Sequence, residues 1–466
     1  MDDDYYDDYF DDYYTDGIGD LEMFEPRFEN IWYDCIWPTL TQISILALKF
    51  ITVNFLFRIL TQTFIRNKIW SHLVSTVCGA VLIFLTVETG FIYIYGLVIL
   101  SYGMMWLLHK IRPRRMGFVI SCFVLGVLLS CEYMEKDKRL WHQLRGCLMI
   151  VVMKIISLAF DIDATKTKDL PRIVPFMGYV LCPASVIFGP WHSFNDYTGI
   201  FETSKWNLKY VFHIFCNTTL AITFLLVSNC FIYGIISDNT WKWVIAYRDA
   251  LAFRSSHYFV SFMSQMSMTT AGFITVPSDT SSKYSYNNLI GYEVTKPHKI
   301  EFPRSLLQVV VGWNIPMHNW LKQYVFRVIK PHSTFLAVFS TYLISSILHG
   351  LNLQLSAVLL SLGLYTYVEY KLRQKLSTIY NSCTLPNKCK PGMCNHDTKS
   401  HFNTFLNALF ALLTVFHLAY LGVMFEAAFH IQEQGYSLTH ALEKWSKLDF
   451  ASHWTILISY LFYLVI

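Results

Sequence analysis

Long apolar runs separated by short polar turns make up most of the chain after residue 38. A helix needs roughly 20 predominantly apolar residues to cross a bilayer. Runs of this kind occupy residues 39–61, 70–87, 90–108, 116–134, 173–190, 209–236, 250–275, 333–349, 352–370, 403–427 and 450–466, with a more mixed stretch over 141–160. Residues 305–326 are too polar, and too interrupted by proline, for an ordinary span. The pattern predicts an all-α, polytopic membrane protein with roughly ten to twelve transmembrane or re-entrant helices.

One apolar segment, residues 171–191, carries an unusual number of helix-breaking residues. They are Pro171, Pro175, Gly178, Pro183, Gly189 and Pro190. Irregular backbone at membrane depth is tolerated only where it is buried in protein or lines a water-filled cavity. We therefore expect the helices to form a compact bundle around an internal cavity.

The chain divides into two parts of different composition. Residues 1–30 are rich in Asp and Tyr and low in complexity, and such a like-charged run is predicted to be disordered. Residues 31–466 are predicted to form one multispanning membrane domain, which includes a cysteine-containing polar loop at 376–401. No basic start followed by an apolar run marks a cleavable signal peptide, so the first span is expected to direct membrane insertion.

The overall composition supports the membrane assignment. Hydrophobic residues make up 54% of the chain and charged residues only 15%, whereas a soluble protein carries about a quarter charged residues. The lipid bilayer is therefore an expected partner. The net charge of +4 is too small to indicate nucleic-acid binding, so no nucleic-acid partner is expected.

Basic residues concentrate in short loops and predict the orientation of the spans. The densest such loop runs from His109 to Arg115, and the positive-inside rule places it in the cytosol. The acidic N-terminus then falls on the lumenal or exterior side. Basic residues between Lys371 and Lys390 suggest that the loop after span 352–370 is also cytosolic.

The eleven cysteines are too scattered to form a disulfide framework. Those inside apolar runs are predicted to be small core residues. They are Cys78, Cys122, Cys147, Cys182, Cys216 and Cys230.

A second group of cysteines lies in the polar loop. Cys383, Cys389, Cys394 and His396 are residue types that hold structural zinc, although their spacing is irregular compared with paired CxxC motifs. A disulfide with one spare thiol, or lipidation of a membrane-proximal thiol, are alternatives. Structural zinc is therefore only a weak candidate for this loop.

His349, at the end of the apolar run 333–349, is the strongest candidate for chemistry. An ionisable residue inside a membrane span is costly and indicates a functional site. A neutral imidazole can remove a proton from a hydroxyl that then attacks an acyl group. Asn314, in the polar segment upstream, offers an amide donor that can stabilise an oxyanion or orient a substrate. A hydrogen-bonded packing histidine is the alternative for His349.

These residues also carry a family resemblance. Trp313-Asn314, followed by an apolar run that ends in Leu348-His349-Gly350, resembles the paired signature of the membrane-bound O-acyltransferases. Residues 145–161 resemble the conserved helix of that family, and 188–194 its re-entrant segment. Further strings resemble the members that acylate a serine of Wnt proteins: 303–305, 313–317, 320–326, 416–422, 433–436 and 451–454.

The resemblance implies an enzyme of the endoplasmic reticulum membrane that contains an internal catalytic cavity. Its co-substrate would be a monounsaturated acyl-CoA, palmitoleoyl-CoA, with no further cofactor required. Its partner would be a Wnt protein whose hairpin presents the acceptor serine. The resemblance implies that His349 is the general base and that Asn314 holds the thioester carbonyl or the serine.

Other residues in the matched strings are weaker substrate-binding candidates. Arg304 could meet a CoA phosphate, because a guanidinium binds phosphate through two parallel hydrogen bonds, or it could be a helix-end cation. Trp313 is expected to pack, and the acyl chain is a possible neighbour. Tyr324 and Ser346 could line the same cavity, since Ser346 lies about one helical turn before His349.

Three alternatives remain open from the sequence. Another acyltransferase of the same family could use a lysophospholipid or a different acceptor. A transporter would account for the broken helices and for Lys154 and His349 in apolar segments, although no inverted repeat is found. A scaffold would leave His349 structural. Lys154 and Asp161, about two turns apart in one apolar helix, are expected to form an internal ion pair.

Overall fold

A computed structural model describes residues 30–64, 67–87, 90–111, 116–164, 169–202, 208–275, 290–388, 401–425 and 438–466. The described chain is almost entirely helical, which confirms the all-α prediction. The predicted disordered tail over residues 1–30 lies outside the described residues except for Asn30.

The N-terminal half contains nine helices within the described residues. They are α1 (Trp37–Ile59), α2 (Lys68–Val87), α3 (Phe91–Ile111), α4 (Met116–Met134), α5 (Lys138–Asp163), α6 (Ile173–Val180), α7 (Phe194–Gly199), α8 (Leu208–Leu226) and α9 (Ile232–Ile235). Wider π-helical turns adjoin α1 on both sides and join α8 to α9, at Trp32–Ile36, Leu60–Phe64 and Val227–Phe231.

The C-terminal half begins with a long helix and a small hairpin. Its described helices are α10 (Lys242–Ala271), α11 (Pro297–Glu301), α12 (Leu306–Trp313), α13 (Ile315–Leu321), α14 (Arg327–Ile329), α15 (Thr334–Leu348), α16 (Leu353–Ile379), α17 (His401–Gly422), α18 (Leu438–Lys447) and α19 (Ala451–Val465). Strands β1 (Ile274–Thr275) and β2 (Ile290–Gly291) pair antiparallel, with Ile274 opposite Gly291. A π-helical turn at Lys322–Phe326 joins α13 to α14.

Six of the described helices are long and apolar enough to cross a membrane, or up to seven if the bent pair α18 and α19 is one span. The predicted total of roughly ten to twelve crossings also counts α5, α10 and α16, which are long but more polar, and the short apolar α15. The number of apolar spans alone is therefore smaller than the sequence pattern suggests.

The helix ends lie at two opposite faces. Helix α3 ends at Ile111 and α4 begins at Met116. We call this side the basic-loop face, because residues 112–115 connect the two helices. Tracing alternate helices back to α1 puts Cys35 at the opposite face, where it forms a disulfide with Cys230.

This disulfide bears on two predictions. Cys230 was expected to be a free core thiol, and that prediction is wrong because its sulfur is bonded to Cys35. Disulfides form in oxidising compartments. The position of this one therefore agrees with a lumenal or exterior N-terminal side, as the positive-inside rule predicts.

Helix α5 passes through the centre of the molecule. Nearly all of its side chains between residues 150 and 159 are buried, as expected of a helix that is apolar on every side. The single cation in this stretch, Lys154, is fully buried. Its ammonium donates to the carbonyl oxygens of Tyr179 at 2.9 Å and Val180 at 3.2 Å, and to the Ser185 hydroxyl at 2.8 Å.

The predicted ion pair between Lys154 and Asp161 is wrong. Lys154 donates hydrogen bonds to the end of α6 and the segment that follows it, whereas Asp161 accepts a hydrogen bond from the Tyr324 hydroxyl at 2.9 Å. A carboxylate two turns away on the same helix is less well placed to bind Lys154 than the backbone oxygens of the neighbouring segment, which lie directly beside its ammonium group.

Residues 173–202 form the broken segment that the prolines predict. Helix α6 ends at Val180, irregular turns follow, and α7 is a separate short helix. Helix α5 ends at the basic-loop face, and Glu202 forms an ion pair with Lys68 of α2 at the same face. The segment therefore enters and leaves through one face, and Lys154 binds it at its deepest part.

Candidate active site

His349 lies in the turn that ends α15. The helix closes with hydrogen bonds from the His349 N–H to the Ser345 carbonyl at 3.2 Å and from the Gly350 N–H to the Ile347 carbonyl at 2.9 Å. Gly350 has a φ of +84°, in the left-handed region that favours glycine after a helix end. A Cβ at Gly350 would also press on the ends of the Glu132 and Arg145 side chains, which shows how closely both pack against the turn. The turn holds His349 partly buried, where α4, α5 and α15 meet.

Asn314 occupies the junction between α12 and α13. Its backbone is extended, with a φ of −145°, and its Oδ1 accepts the Met317 N–H at 3.0 Å. This is an N-cap, a role for which asparagine is among the preferred residues. Its Nδ2 makes no hydrogen bond among the described residues. The two ends of the Asn314 amide therefore differ: Oδ1 caps the helix, while the Nδ2 N–H groups remain available to donate hydrogen bonds to a substrate.

His257, on α10, connects the two candidates. Its ring stacks on Trp313, with centroids 4.3 Å apart and planes 14° apart. Its Nε2 lies 3.2 Å from the Trp313 carbonyl oxygen, directly before Asn314. His257 and Arg145 both lie within electrostatic range of His349. His257, which contacts the Trp313–Asn314 segment, therefore lies in the same region of the protein as His349.

His257 is not among the site residues predicted from the sequence. The residue belongs to a helix whose polar and apolar residues show no clear stripe, so periodicity does not distinguish it from a packing histidine. A signal was present in its setting, since α10 places several buried Ser, Thr and Gln side chains at membrane depth. Polar residues in a span indicate a polar interior.

Trp313 packs as predicted, within an aromatic group. Its ring stacks at 6.2 Å on Phe253 and lies 6.3 Å from Tyr258, in addition to His257. Contact with an acyl chain stays a prediction. The stacking fixes the end of α12 and therefore the position from which Asn314 projects.

Tyr324 belongs to the packing around α5. Its hydroxyl donates to Asp161, and its ring lies 5.8 Å from both Trp191 and Trp320. Among the described residues, no contact between Tyr324 and His349 is observed. Its proposed place in the substrate cavity stays a prediction.

Ser346 lies one turn before His349 but is directed to another helix. Its hydroxyl donates to the Ser356 hydroxyl at 2.5 Å, which joins α15 to α16. Ser346 is 5% exposed. Its described contact therefore supports the antiparallel packing of the two helices that flank the His349 turn.

Arg304 lies beside the polar loop. Its guanidinium donates to the Cys383 carbonyl at 2.6 Å and to the Leu385 carbonyl at 3.1 Å. Arg373 donates in turn to the Arg304 carbonyl oxygen. These contacts fasten the loop that follows α16, and phosphate binding by Arg304 stays a prediction.

The candidate zinc ligands cannot be compared as a group. Cys389, Cys394 and His396 lie outside the described residues. Cys383 is described, and it is buried against Arg304. Within the described ranges no group of three or more His, Cys, Asp or Glu side chains could hold a metal ion.

Comparison with known proteins points to one chemistry. The family model of the membrane-bound O-acyltransferases matches residues 92–396. A protein of Anopheles gambiae named "Protein-serine O-palmitoleoyltransferase porcupine" is 38% identical over an alignment of 463 residues that covers 93% of this chain and 93% of that protein. The Homo sapiens protein of the same name is 33% identical over 466 residues, covering 94% and 98%. The more distant "Lysophospholipid acyltransferase 2" of Arabidopsis thaliana is 22% identical over 372 residues, covering 66% and 75%.

Proposed function

The chain belongs to the membrane-bound O-acyltransferase family, and from this premise we propose that it transfers a palmitoleoyl group from acyl-CoA to a serine hydroxyl of a Wnt protein. Two relatives that align along more than nine-tenths of the chain carry the name of a protein-serine O-palmitoleoyltransferase. Acyl transfer follows from the family. The serine acceptor, the palmitoleoyl donor and the Wnt partner are the proposed part.

One observation carries the assignment of the site. His257 contacts the Trp313 carbonyl beside Asn314 and lies within electrostatic range of His349, although the two segments are remote in sequence. An amide with available N–H groups and an imidazole in one partly buried region are the two groups that acyl transfer to a hydroxyl requires.

The proposed chemistry gives His349 and Asn314 separate roles. His349 takes the proton from the serine Oγ as that oxygen attacks the thioester carbonyl carbon. Asn314 donates from Nδ2 to the carbonyl oxygen, where negative charge develops. The C–S bond then breaks, and the CoA thiolate takes the proton from His349. The products are a serine ester and free CoA thiol, and His349 returns to its neutral form.

The two substrates are proposed to arrive from opposite faces. Acyl-CoA would come from the basic-loop face, which the positive-inside rule places in the cytosol. The Wnt hairpin would come from the face of the Cys35–Cys230 disulfide, the lumenal side of the endoplasmic reticulum membrane. The Lys154-bound segment of residues 173–202 would separate the two routes.

The test uses full-length protein in nanodiscs with palmitoleoyl-CoA and a disulfide-closed Wnt hairpin peptide. Acyl-peptide is followed by mass spectrometry. We expect product with wild type, none with a peptide whose serine is replaced by alanine, and a loss of about 100-fold to 10,000-fold in turnover with His349→Ala. His332→Ala, an exposed histidine before α15, is the matched control and keeps full activity.

The outcomes separate the alternatives. Product that survives His349→Ala would remove His349 as the general base. Absence of product from folded wild-type protein would exclude the peptide acceptor. A lysophospholipid is the second candidate acceptor, favoured by the similarity to the Arabidopsis enzyme, and it would be supplied in the same assay.

A further inference from the structure

A carboxylate holds the turn that follows His349. The Leu351 N–H donates to Glu132 Oε2 at 2.9 Å, between residues 219 positions apart. Glu132 is only 9% exposed and lies near the end of α4. Because Gly350 also packs directly against this carboxylate, Glu132 determines how the backbone leaves His349.

Arg145, on α5, borders the same turn. Its Nη2 is 3.6 Å from Glu132 Oε1, an ion pair that is longer than a normal hydrogen bond. Both Nε and Nη2 are buried, and neither has a hydrogen-bond partner among the described residues. A buried N–H group without an acceptor is costly, more so when the group is charged. These two N–H groups therefore suit an oxygen that arrives with a substrate.

The location indicates which substrate. Helix α4 starts at the basic-loop face, so Glu132, two residues before its end, lies near the opposite face. Arg145 is seven residues into α5 from that face, or about 10 Å deep. This is the side from which the acceptor is proposed to come, and the side away from the proposed entry of CoA.

We propose that Arg145 donates hydrogen bonds to an oxygen of the acceptor polypeptide next to the target serine, and that Glu132 positions both Arg145 and the His349 turn for this contact. The inference rests on the proposed function, because it names how that same site recognises its acceptor. Arg145 is then a substrate-binding residue and Glu132 a positioning residue.

The chemistry of the guanidinium fits this role. Arginine carries five N–H donors and no acceptor, so its partner must present an oxygen with free lone pairs. A hairpin that enters the site offers main-chain carbonyl oxygens beside its serine. Two hydrogen bonds from Nε and Nη2 that converge on one carbonyl oxygen would fix the peptide in position and in direction, so that the serine Oγ faces His349.

The experiment measures kcat and the KM for each substrate separately, with full-length protein in nanodiscs, palmitoleoyl-CoA and the hairpin peptide. The variants are Arg145→Gln, Arg145→Lys, Glu132→Gln and Glu132→Ala. Glu135→Gln is the matched control, because Glu135 lies at the same end of α4 and binds the Tyr93 hydroxyl instead.

We expect Arg145→Gln to raise the KM for peptide about tenfold, as for a lost hydrogen bond to a charged group, and to leave the KM for acyl-CoA unchanged. Glu132→Gln keeps an oxygen for the Leu351 N–H, so kcat is retained while the KM for peptide rises. Glu132→Ala loses that oxygen, and kcat falls as well. Glu135→Gln changes neither constant.

Two outcomes overturn the inference while leaving the proposed function intact. In one, wild type acylates the peptide and Arg145→Gln does not change its KM. In the other, Arg145→Gln raises both KM values equally. If Arg145→Gln does not fold, Arg145→Lys decides by the same comparison, since it keeps the charge but loses the paired donors. A folded wild type that forms no acyl-peptide overturns the proposed function, and this inference with it.

Discussion

Arg373 and Arg145 are two arginines that lie in the interior, each beside a glutamate, and they are used in opposite ways. Arg373 of α16 is fully buried, and all three of its guanidinium nitrogens donate hydrogen bonds. Arg145 of α5 keeps Nε and Nη2 without partners among the described residues. Both positions carry the desolvation cost of a buried cation, and both have a glutamate beside them, but only Arg373 has all of its guanidinium nitrogens hydrogen-bonded within the protein.

The surroundings of Arg373 explain why each of its guanidinium nitrogens is hydrogen-bonded. Its Nε binds Glu369 one turn earlier at 2.5 Å, and its Nη1 binds the Thr384 carbonyl at 2.9 Å. Its Nη2 binds the Arg304 carbonyl, which joins α12 to the loop after α16. A polar cluster in which every guanidinium nitrogen is hydrogen-bonded within the protein stabilises one arrangement of the backbone.

Buried polar groups of this membrane protein differ in how many of their hydrogen-bond donors have a partner. Lys154 and Arg373, whose nitrogens all donate to the chain itself, hold irregular backbone in place. Arg145 and Asn314, in the region of the candidate site, keep donors without a partner among the described residues. Burial alone does not distinguish these two pairs, whereas their hydrogen bonding does.

The largest effect on stability is expected for Arg373→Met. This change leaves Glu369 buried without its partner and should cost about 3–5 kcal/mol of folding free energy. Thermal unfolding of the purified protein in detergent would show a strongly lowered melting temperature. The double variant Arg373→Met with Glu369→Leu should recover much of the loss, and a single variant as stable as wild type would break the comparison.

A smaller effect, confined to turnover, is expected for Asn314→Asp. The aspartate keeps an oxygen to cap α13 but loses the Nδ2 donors, so kcat should fall about 100-fold while the melting temperature is unchanged. Asn314→Ala loses both functions and should also cost about 1 kcal/mol in stability. If Asn314→Asp remained fully active, the unused donor would have no role in catalysis.

The smallest of these effects is expected for His257→Phe. The aromatic ring keeps its stacking on Trp313, but the hydrogen bond to the Trp313 carbonyl is lost. We expect a fall in kcat of about tenfold through a less well-held Asn314, with KM values unchanged. His257→Gln, which can donate to the same carbonyl, should restore part of the activity. Failure of this rescue would make His257 a packing residue only.

The sequence predicted much of the architecture and part of the site. Apolar run length predicted the spans, and the prolines of 171–191 predicted the break after α6. His349 and Asn314 stood out because polar residues in apolar segments are costly. The sequence did not reveal Glu132, Arg145 or His257, since each approaches the His349 turn or Trp313 only through helices that are distant in sequence.

Two errors have the same origin. The sequence predicts a Lys154–Asp161 ion pair because the two residues share a helix, and a core thiol at Cys230 because it lies in an apolar run. In the structure Lys154 binds a segment that folds back against α5, and Cys230 bonds to Cys35 across 195 positions of sequence. Local spacing does not contain these contacts.

The amino-acid sequence by itself determined that this protein is helical, lies in a membrane and belongs to an acyltransferase family, because apolar run length and the His349 and Asn314 strings are local properties. Only the tertiary structure decided which polar groups are satisfied and which remain available around His349. The physical reason is that hydrogen-bond saturation depends on donors and acceptors that distant helices bring together, as α4 does for the turn at Leu351.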